Sequence, residues 1–300
     1  MKKIFSFLLI LLLVISAASF AGGNKEESDG LTLGLSLSTL NNPFFVTLKE
    51  GAEAKAAELG VKLIIVDSQD DSSKEATNIE DLIQKGVDAL LINPTDADAI
   101  VPSIKKANAA GIPVFTIDRG ASGGDVVSHI ASDNVAGGKM AAEYMVELLG
   151  GKGNVVELEG IAGTSAARDR GKGFNEVISA NSGLSVVARQ TANFNRAEGL
   201  SVFENILQAQ SDISAVFAHN DEMILGAVQA AEAAGRTGII FIGFDAVDDA
   251  VNAVKSGKLA ATVAQQPSEI GSLGVDAAVK SLSGGSVESS IPVPLALVTK

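Results

Sequence analysis

The sequence contains no cysteine. Disulfides, thiolate metal sites, a cysteine nucleophile and lipid attachment at an N-terminal cysteine are therefore excluded. Histidine is nearly as scarce. Only His129 and His219 occur, too few for a histidine-rich metal centre, and no metal or other cofactor is expected. Basic residues are outnumbered, 23 Lys and Arg against 36 Asp and Glu, so the net charge is −13. A chain this acidic repels phosphate backbones, which argues against nucleic acid as a partner. There is no long low-complexity tract and no second apolar run after the one near the start. What is present is 300 residues with 46% hydrophobic content, enough to bury one large core or two of ordinary size.

The single apolar run is Ile4–Ile15, broken only by Ser6 and preceded by Lys2 and Lys3. A membrane span needs about 20 residues, so this run is short for one. A charged start, a short apolar stretch and small residues at Ser19 and Ala21 read as an export signal over residues 1–21. Cleavage is expected near Ala21, with delivery across a bacterial inner membrane to the periplasm. Removing that segment brings the charge to −15, since its only charges are Lys2 and Lys3. Residues 22–30 are polar and flexible in composition. The alternative, an uncleaved anchor, has no second apolar segment to support it.

From Leu31 the pattern alternates between short apolar runs and stretches with apolar residues three and four apart. Strands are expected at Leu31–Ser38, Lys62–Ser68, Ala89–Pro94, Pro113–Arg119, Val126–Asp133 and Asn154–Gly160. Others are expected at Leu184–Gln190, Ala215–Asn220, Gly238–Asp245, Leu259–Gln265 and Val293–Val298. One intervening helix carries Ala52, Ala56 and Leu59 and stops at Gly60. Another carries Ala227, Val228, Ala231 and Ala234 and stops at Gly235. This β-α alternation predicts an α/β protein with parallel sheets covered by helices.

Eleven strands are too many for one ordinary doubly wound domain, so two sheets of five or six are expected. The rhythm breaks where Val126–Asp133 follows Pro113–Arg119 with only a Gly-rich loop between. The chain should pass between lobes at Ser132-Asp133, again near Gln265-Gln266, and a third time near Pro292–Pro294. The predicted lobes are residues 31–132 with 266–293, and residues 133–265 with 294–300. Three thin crossings make a hinge that can close on a ligand.

Candidate site residues collect at the C-terminal ends of these strands, where ligands sit in open α/β sheets. The plainest case is Val114–Ile117 running into Asp118-Arg119, an acceptor beside a donor. Other strand ends deliver Ser38, then Asn42 with Phe44 and Phe45, and Asn93. Further along come the loop Gly160–Ser165 with Arg168 and Arg170, then His219-Asn220, Phe244-Asp245 and Gln265. Asp118 and Asp245 balance Arg119 and Arg170. Such a site suits a neutral ligand rich in hydroxyls, and phenyl rings suit the C–H faces of a sugar. Asn42-Pro43 also reads as a helix cap with proline at the first position. His129 reads as a buried strand residue, and His219 as a support for Asn220.

Three motif matches fail. Gly160–Ser165 lacks the lysine of a P-loop and is not GxGxxG. Asp67–Asp71 begins like a calcium loop, but Ser72 and Asn78 occupy the positions that need Gly and Glu. Gly120–Gly124 spells GxSxG, yet it joins strand to strand and not strand to helix.

The stretches STLNNPFF (Ser38–Phe45), LLINPTDADA (Leu90–Ala99), IDR (Ile117–Arg119), VVSHIASDN (Val126–Asn134) and GIAGTSAARDRG (Gly160–Gly171) resemble a known family. So do NDE (Asn220–Glu222), GFD (Gly243–Asp245) and KLAATVAQ (Lys258–Gln265). It is the pentose/hexose family of periplasmic solute receptors that serve ABC importers. The resemblance runs from about Leu31 to near the C-terminus. It implies two Rossmann-like lobes of the type I periplasmic binding fold closing on a monosaccharide, D-ribose or a near relative, without a chemical step. It implies that Phe44, Phe45 and Phe194 sandwich the ring, although the spacing before Asn193–Arg196 departs by one residue. It implies polar contacts from Ser38, Asn42, Asn93, Asp118, Arg119, Arg170, Asn220, Asp245 and Gln265, with Phe244 beside Asp245, and leaves Arg168 structural or solvated. An ABC permease is the expected partner, with a chemotaxis receptor as a further one, and a monomer is expected. Other readings are the same receptor for allose, another pentose or a quorum-signalling furanose. A sugar-responsive repressor would need an N-terminal DNA-binding domain and a basic surface, where this acidic sequence reads as an export signal, and a sugar isomerase or hydrolase is the enzymatic rival.

Overall fold

The computed structural model describes residues 30–300. The expected export signal over 1–21, and all of the 22–30 segment except Gly30, lie outside the described residues. Chain order among them is β1 (Thr32–Leu37), α1 (Pro43–Leu59), β2 (Lys62–Asp67), α2 (Ser72–Gln84), β3 (Ala89–Ile92), α3 (Val101–Ala109), β4 (Val114–Ile117) and β5 (Ser128–Ser132). It continues with α4 (Asn134–Leu149), β6 (Gly153–Glu159), α5 (Ser165–Ala180), β7 (Leu184–Thr191), α6 (Arg196–Ala209), β8 (Ala215–Ala218), α7 (Asp221–Ala233) and β9 (Ile240–Asp245). It ends with α8 (Asp248–Ser256), β10 (Ala261–Ala264), α9 (Pro267–Leu282), β11 (Ser290–Val293) and β12 (Ala296–Thr299).

The strands form two sheets ordered β11-β5-β4-β3-β1-β2 and β12-β10-β9-β8-β6-β7. Raising each of the first five strand numbers by five turns one inner order into the other, so the two α/β lobes share a topology. Central strands such as β3 and β4 are buried at every residue, which is why they read as unbroken apolar runs. Each sheet winds outward from a switch point, between β1 and β3 in one lobe and between β6 and β8 in the other. The crevice at that end of the strands is open to a ligand.

The chain leaves the first sheet after Ser132, returns after Ala264 and leaves again after Val293. One expectation needs correcting. The last apolar run is not a single strand over 293–298 but two, with β11 on the edge of the first sheet and β12 on the edge of the second. Pro292 lies inside β11, and an edge strand tolerates it because one side needs no ladder donor. β12 runs antiparallel to β10, since it arrives from the other lobe without a crossover helix. Leu59, expected on the buried face of α1, is exposed at the last turn. Gly60 follows with φ 66°, capping the helix as anticipated.

Helix packing fixes the site's second rim. A Cβ at Gly138 would lie 2.1 Å from the Arg170 carbonyl, and one at Gly173 would lie 2.0 Å from that of Val135. Paired glycines thus bring α4 and α5 into backbone contact and seat Arg170 beside Asn134. None of the described helices is long and apolar enough to cross a membrane.

Candidate functional site

A small cavity lies between the lobes, lined by Asn42, Phe44, Phe45, Asp118, Arg119, Ala166, Arg170, Phe194, Asn220 and Asp245. Its first wall begins at the end of β4. Successive residues of a strand point to opposite faces, so Asp118 and Arg119 could not both enter the cavity from a continuing strand. Asp118 has φ 60° instead, and the Arg119 amide donates to the Ile117 carbonyl at 2.6 Å. That is a γ-turn with positive φ at its centre, a rare and strained conformation. It turns both side chains inward.

Asp118 is braced from behind. Asn93, at the end of β3, donates to Asp118 Oδ2 and to the Ile117 carbonyl, both at 3.1 Å. Its own Oδ1 accepts from Ser38 Oγ at 2.7 Å. Ser38 and Asn93 therefore form a backing layer and do not line the cavity. Asp118 Oδ1 is buried with no hydrogen-bond partner among the described residues. Burial raises the Asp118 carboxyl above its ordinary range, against the pull of Arg119 and then Arg170.

Arg119 lies between two rings. Its guanidinium carbon lies 5.2 Å from the Phe45 centroid and 5.2 Å from that of Phe194 in the opposite lobe. Phe44 and Phe45 meet edge to face at 5.2 Å. As adjacent residues at a helix start they cannot share one core stripe, and both reach the cavity. Asn42 caps α1 by accepting from the Phe44 amide at 2.9 Å, which leaves its Nδ2 unused by the cap.

The second wall is assembled from distant pieces. Arg170 projects from α5, whose start is capped by Thr164. Its Nε donates to Asn134 Oδ1 at 2.8 Å, and its Nη1 donates to the His219 carbonyl at 2.5 Å and reaches Asp245 at 3.4 Å. Its guanidinium lies 3.9 Å from the Phe244 centroid. Phe244 is thus a buried floor under Arg170, behind the cavity wall. Gln265 donates to Asp245 Oδ1 at 2.9 Å and also stands behind. Burial pushes the Asp245 carboxyl up to about 7, opposed by Arg170 and the Gln265 hydrogen bond. Asn220 caps α7 by accepting from the Met223 amide and donates to the Phe194 carbonyl, leaving one amide hydrogen and one lone pair.

Phe194, the residue with the shifted spacing, reaches the cavity through two consecutive left-handed residues, Asn193 (φ 50°) and Phe194 itself (φ 56°). Its ring passes over Gly160, where a Cβ would lie 2.0 Å away. Only glycine permits that approach. Arg168, two residues from Arg170, is exposed and paired with Asp169. His129 is only half-buried, contrary to expectation, with Nδ1 2.9 Å from Thr116 Oγ1. His219 backs the site through its carbonyl, while its ring meets buried Glu157 at 3.0 Å. Ala166 was not anticipated. Its methyl lines the wall one turn before Arg170, and no side-chain chemistry marked it.

Two more contacts join the lobes beside the cavity. The Gly120 amide donates to Ser165 Oγ at 2.8 Å, and the Ala97 amide to the Gly163 carbonyl at 3.0 Å. The arrangement holds two acids, two guanidiniums, two amides and three phenyl rings, with no thiol, imidazole or hydroxyl in the lining. It can bind hydroxyl-bearing neutral molecules by charge-assisted hydrogen bonds.

Residues 33–286 match the family model described as a periplasmic binding protein domain. The ribose import binding protein of Haemophilus influenzae is 52% identical over 300 residues, covering all of both chains. An ABC transporter solute binding protein from Bacillus halodurans with bound myo-inositol superposes with TM-score 0.87 at 34% identity, covering 91% of this chain and 96% of that one. One from Actinobacillus succinogenes with bound D-allose gives TM-score 0.85 at 31% identity, covering 90% and 97%.

Proposed function

The chain belongs to the periplasmic binding protein family, and on that premise we propose that it captures D-ribose between its lobes and delivers it to the permease of an ABC importer. The cavity carries this reading. Two carboxyl groups face two guanidiniums, and phenyl faces flank them. That combination suits an uncharged polyol with a C–H face, and suits a phosphate or a cation poorly. Ribose is favoured over other sugars because the ribose import relative resembles the chain from end to end and more closely than the inositol- and allose-bound proteins.

Asp118 and Asp245 accept from sugar hydroxyls, Arg119 and Arg170 donate to them, and Asn42 and Asn220 complete the ring of polar contacts. Phe44, Phe45 and Phe194 cover the faces of the sugar. Ser38, Asn93, Phe244 and Gln265 hold these groups in place. The lobes are residues 31–132 with 266–293 and residues 133–265 with 294–300, and three crossings form the hinge. Closure is a population shift driven by the sugar's preference for the closed form. No bond is made or broken, and no cofactor takes part. The receptor works as a monomer in the periplasm after losing its leader. The closed surface, built from both lobes, is what a permease and a chemotaxis receptor would read.

Thermal unfolding against a panel of monosaccharides tests the reading. At one hundred times its Kd a ligand adds ~2.7 kcal/mol to folded-state stability. D-ribose should raise the melting temperature most. A larger shift with D-allose or a furanose reassigns the ligand, and no shift with any sugar sinks the proposal.

A further inference from the structure

Asp221 lies between cavity-lining Asn220 and Glu222, which pairs with Arg196, yet it faces neither the cavity nor solvent. Its carboxylate points back across the sheet. Oδ1 accepts from Thr262 Oγ1 at 2.7 Å, and Oδ2 accepts from the Val247 amide at 2.9 Å. Thr262 Oγ1 in turn accepts from the Ala246 amide at 3.2 Å. Asp221 and Thr262 are both fully buried. Their reach crosses β9 at Gly243, where a Cβ would lie 2.2 Å from Asp221 Oδ1.

The two amides they hold belong to the turn that follows Asp245. That turn is strained, with Asp245 at φ 114° and Ala246 at φ 57°, a region L-residues rarely occupy. Such a backbone persists only when its surroundings over-determine it. Two consecutive amides tied to one buried Asp–Thr pair do so here. Without the tie, relaxation of residue 245 towards negative φ would swing its carboxylate away from Arg170 and Gln265.

We propose that Asp221 and Thr262 are positioning residues for sugar capture, clamping the Asp245–Val247 backbone so that the Asp245 carboxylate faces the cavity. They touch no sugar atom. The inference rests on the proposed role of the cavity, and it accounts for three features that the cavity itself leaves unexplained: a buried acid beside Asn220, a hydroxyl in the middle of β10 and the glycine of the Gly243-Phe244-Asp245 stretch.

The test is isothermal calorimetry of the full chain with D-ribose, alongside melting temperatures without sugar. Thr262→Val keeps the shape and removes the hydroxyl, and should raise Kd at least tenfold. Thr262→Ser restores the hydroxyl and should recover most of the affinity even where its lost methyl lowers the melting temperature. In an Asp245→Asn background, Thr262→Val should cost less than threefold more, because a clamp acts only through the group it positions. Unchanged affinity in Thr262→Val, failure of serine to rescue, or full additivity with Asp245→Asn each overturns the clamp. If Thr262→Val does not fold, Asp221→Asn carries the affinity and additivity comparisons, with the same outcomes overturning the clamp. Absence of a ribose heat in the unsubstituted chain counts against the ribose reading instead, so the two failures are distinguishable.

Discussion

Each lobe brings one carboxylate and one guanidinium to the cavity, but by different routes. In the first lobe Asp118 and Arg119 are neighbours in sequence, and a single γ-turn aims both. In the second, Arg170 comes from a helix and Asp245 from a strand end 75 residues later. Bracing differs accordingly. Asp118 is held by side chains from the neighbouring strand ends, whereas the Asp245 turn is held through its backbone amides from a helix start and a central strand. Strain at a non-glycine residue of this kind costs about 1–3 kcal/mol. Both lobes carry it where an acid must face the ligand, so acid placement is the demanding part of building this site.

The comparison can be broken most forcefully by removing one charge from each half. Asp118→Ala and Arg170→Ala should each weaken ribose binding at least tenfold, ~1.4 kcal/mol or more. Arg170→Ala should also lower stability, since Asn134, the His219 carbonyl and Asp245 all lose a buried partner. Calorimetry and urea unfolding measure these. Unchanged affinity in both variants would remove the site assignment.

Next is the ring shared by both halves. Gly160→Ala puts a methyl into the Phe194 ring and pushes it off Arg119, and a loss of affinity near tenfold is expected, ~1.4 kcal/mol. A fully active variant would mean that the ring's position is unimportant.

A smaller effect distinguishes the two acids by pH. Asp245 sits near 7 without ligand, so acceptance of sugar hydroxyls by its carboxylate should weaken as pH falls from 8 to 6. Asp245→Asn should abolish that slope. For folding the sign is opposite. A carboxyl held above its unfolded value near 4 binds more protons when folded, so its contribution is present below pH 4 and is lost as pH rises through 7. Glu75, pushed up to about 7 by burial despite the opposing Thr95 hydrogen bonds, adds to the same decline. Stability of the sugar-free protein should therefore fall less steeply between pH 4 and pH 7 in Glu75→Gln, as urea titrations would reveal.

The smallest expected change is at Arg168. Exposed and, among the described residues, paired only with Asp169, it should alter stability by less than about 0.5 kcal/mol when replaced by alanine, and leave ribose affinity unchanged. A marked loss there would mean that the two arginines of α5 had been assigned the wrong way round.

The same asymmetry governs what could be read from sequence. The first lobe's pair stands at the end of an apolar run, and local pattern suffices to notice it. Nothing local separates Arg170 from Arg168. Only family resemblance singled out Arg170, and its true partners, Asn134 and the His219 carbonyl, are long-range contacts. Sheets, helices and crossings follow from periodicity because burial acts on every residue. β11 was missed because proline disguises an edge strand. Ala166 was missed because a methyl group has no chemistry to betray it, and the depth at which Ser38, Asn93, Phe244 and Gln265 stand behind the wall depends on packing, which no spacing encodes.

The Gly120–Ser165 and Ala97–Gly163 hydrogen bonds join the lobes beyond the cavity. Both must rupture each time the halves part, whatever the cargo. Their strength therefore enters the residence time of the bound molecule while contributing nothing to its discrimination, and a receptor could be retuned from slow scavenging to rapid turnover at these two points without disturbing what it recognises.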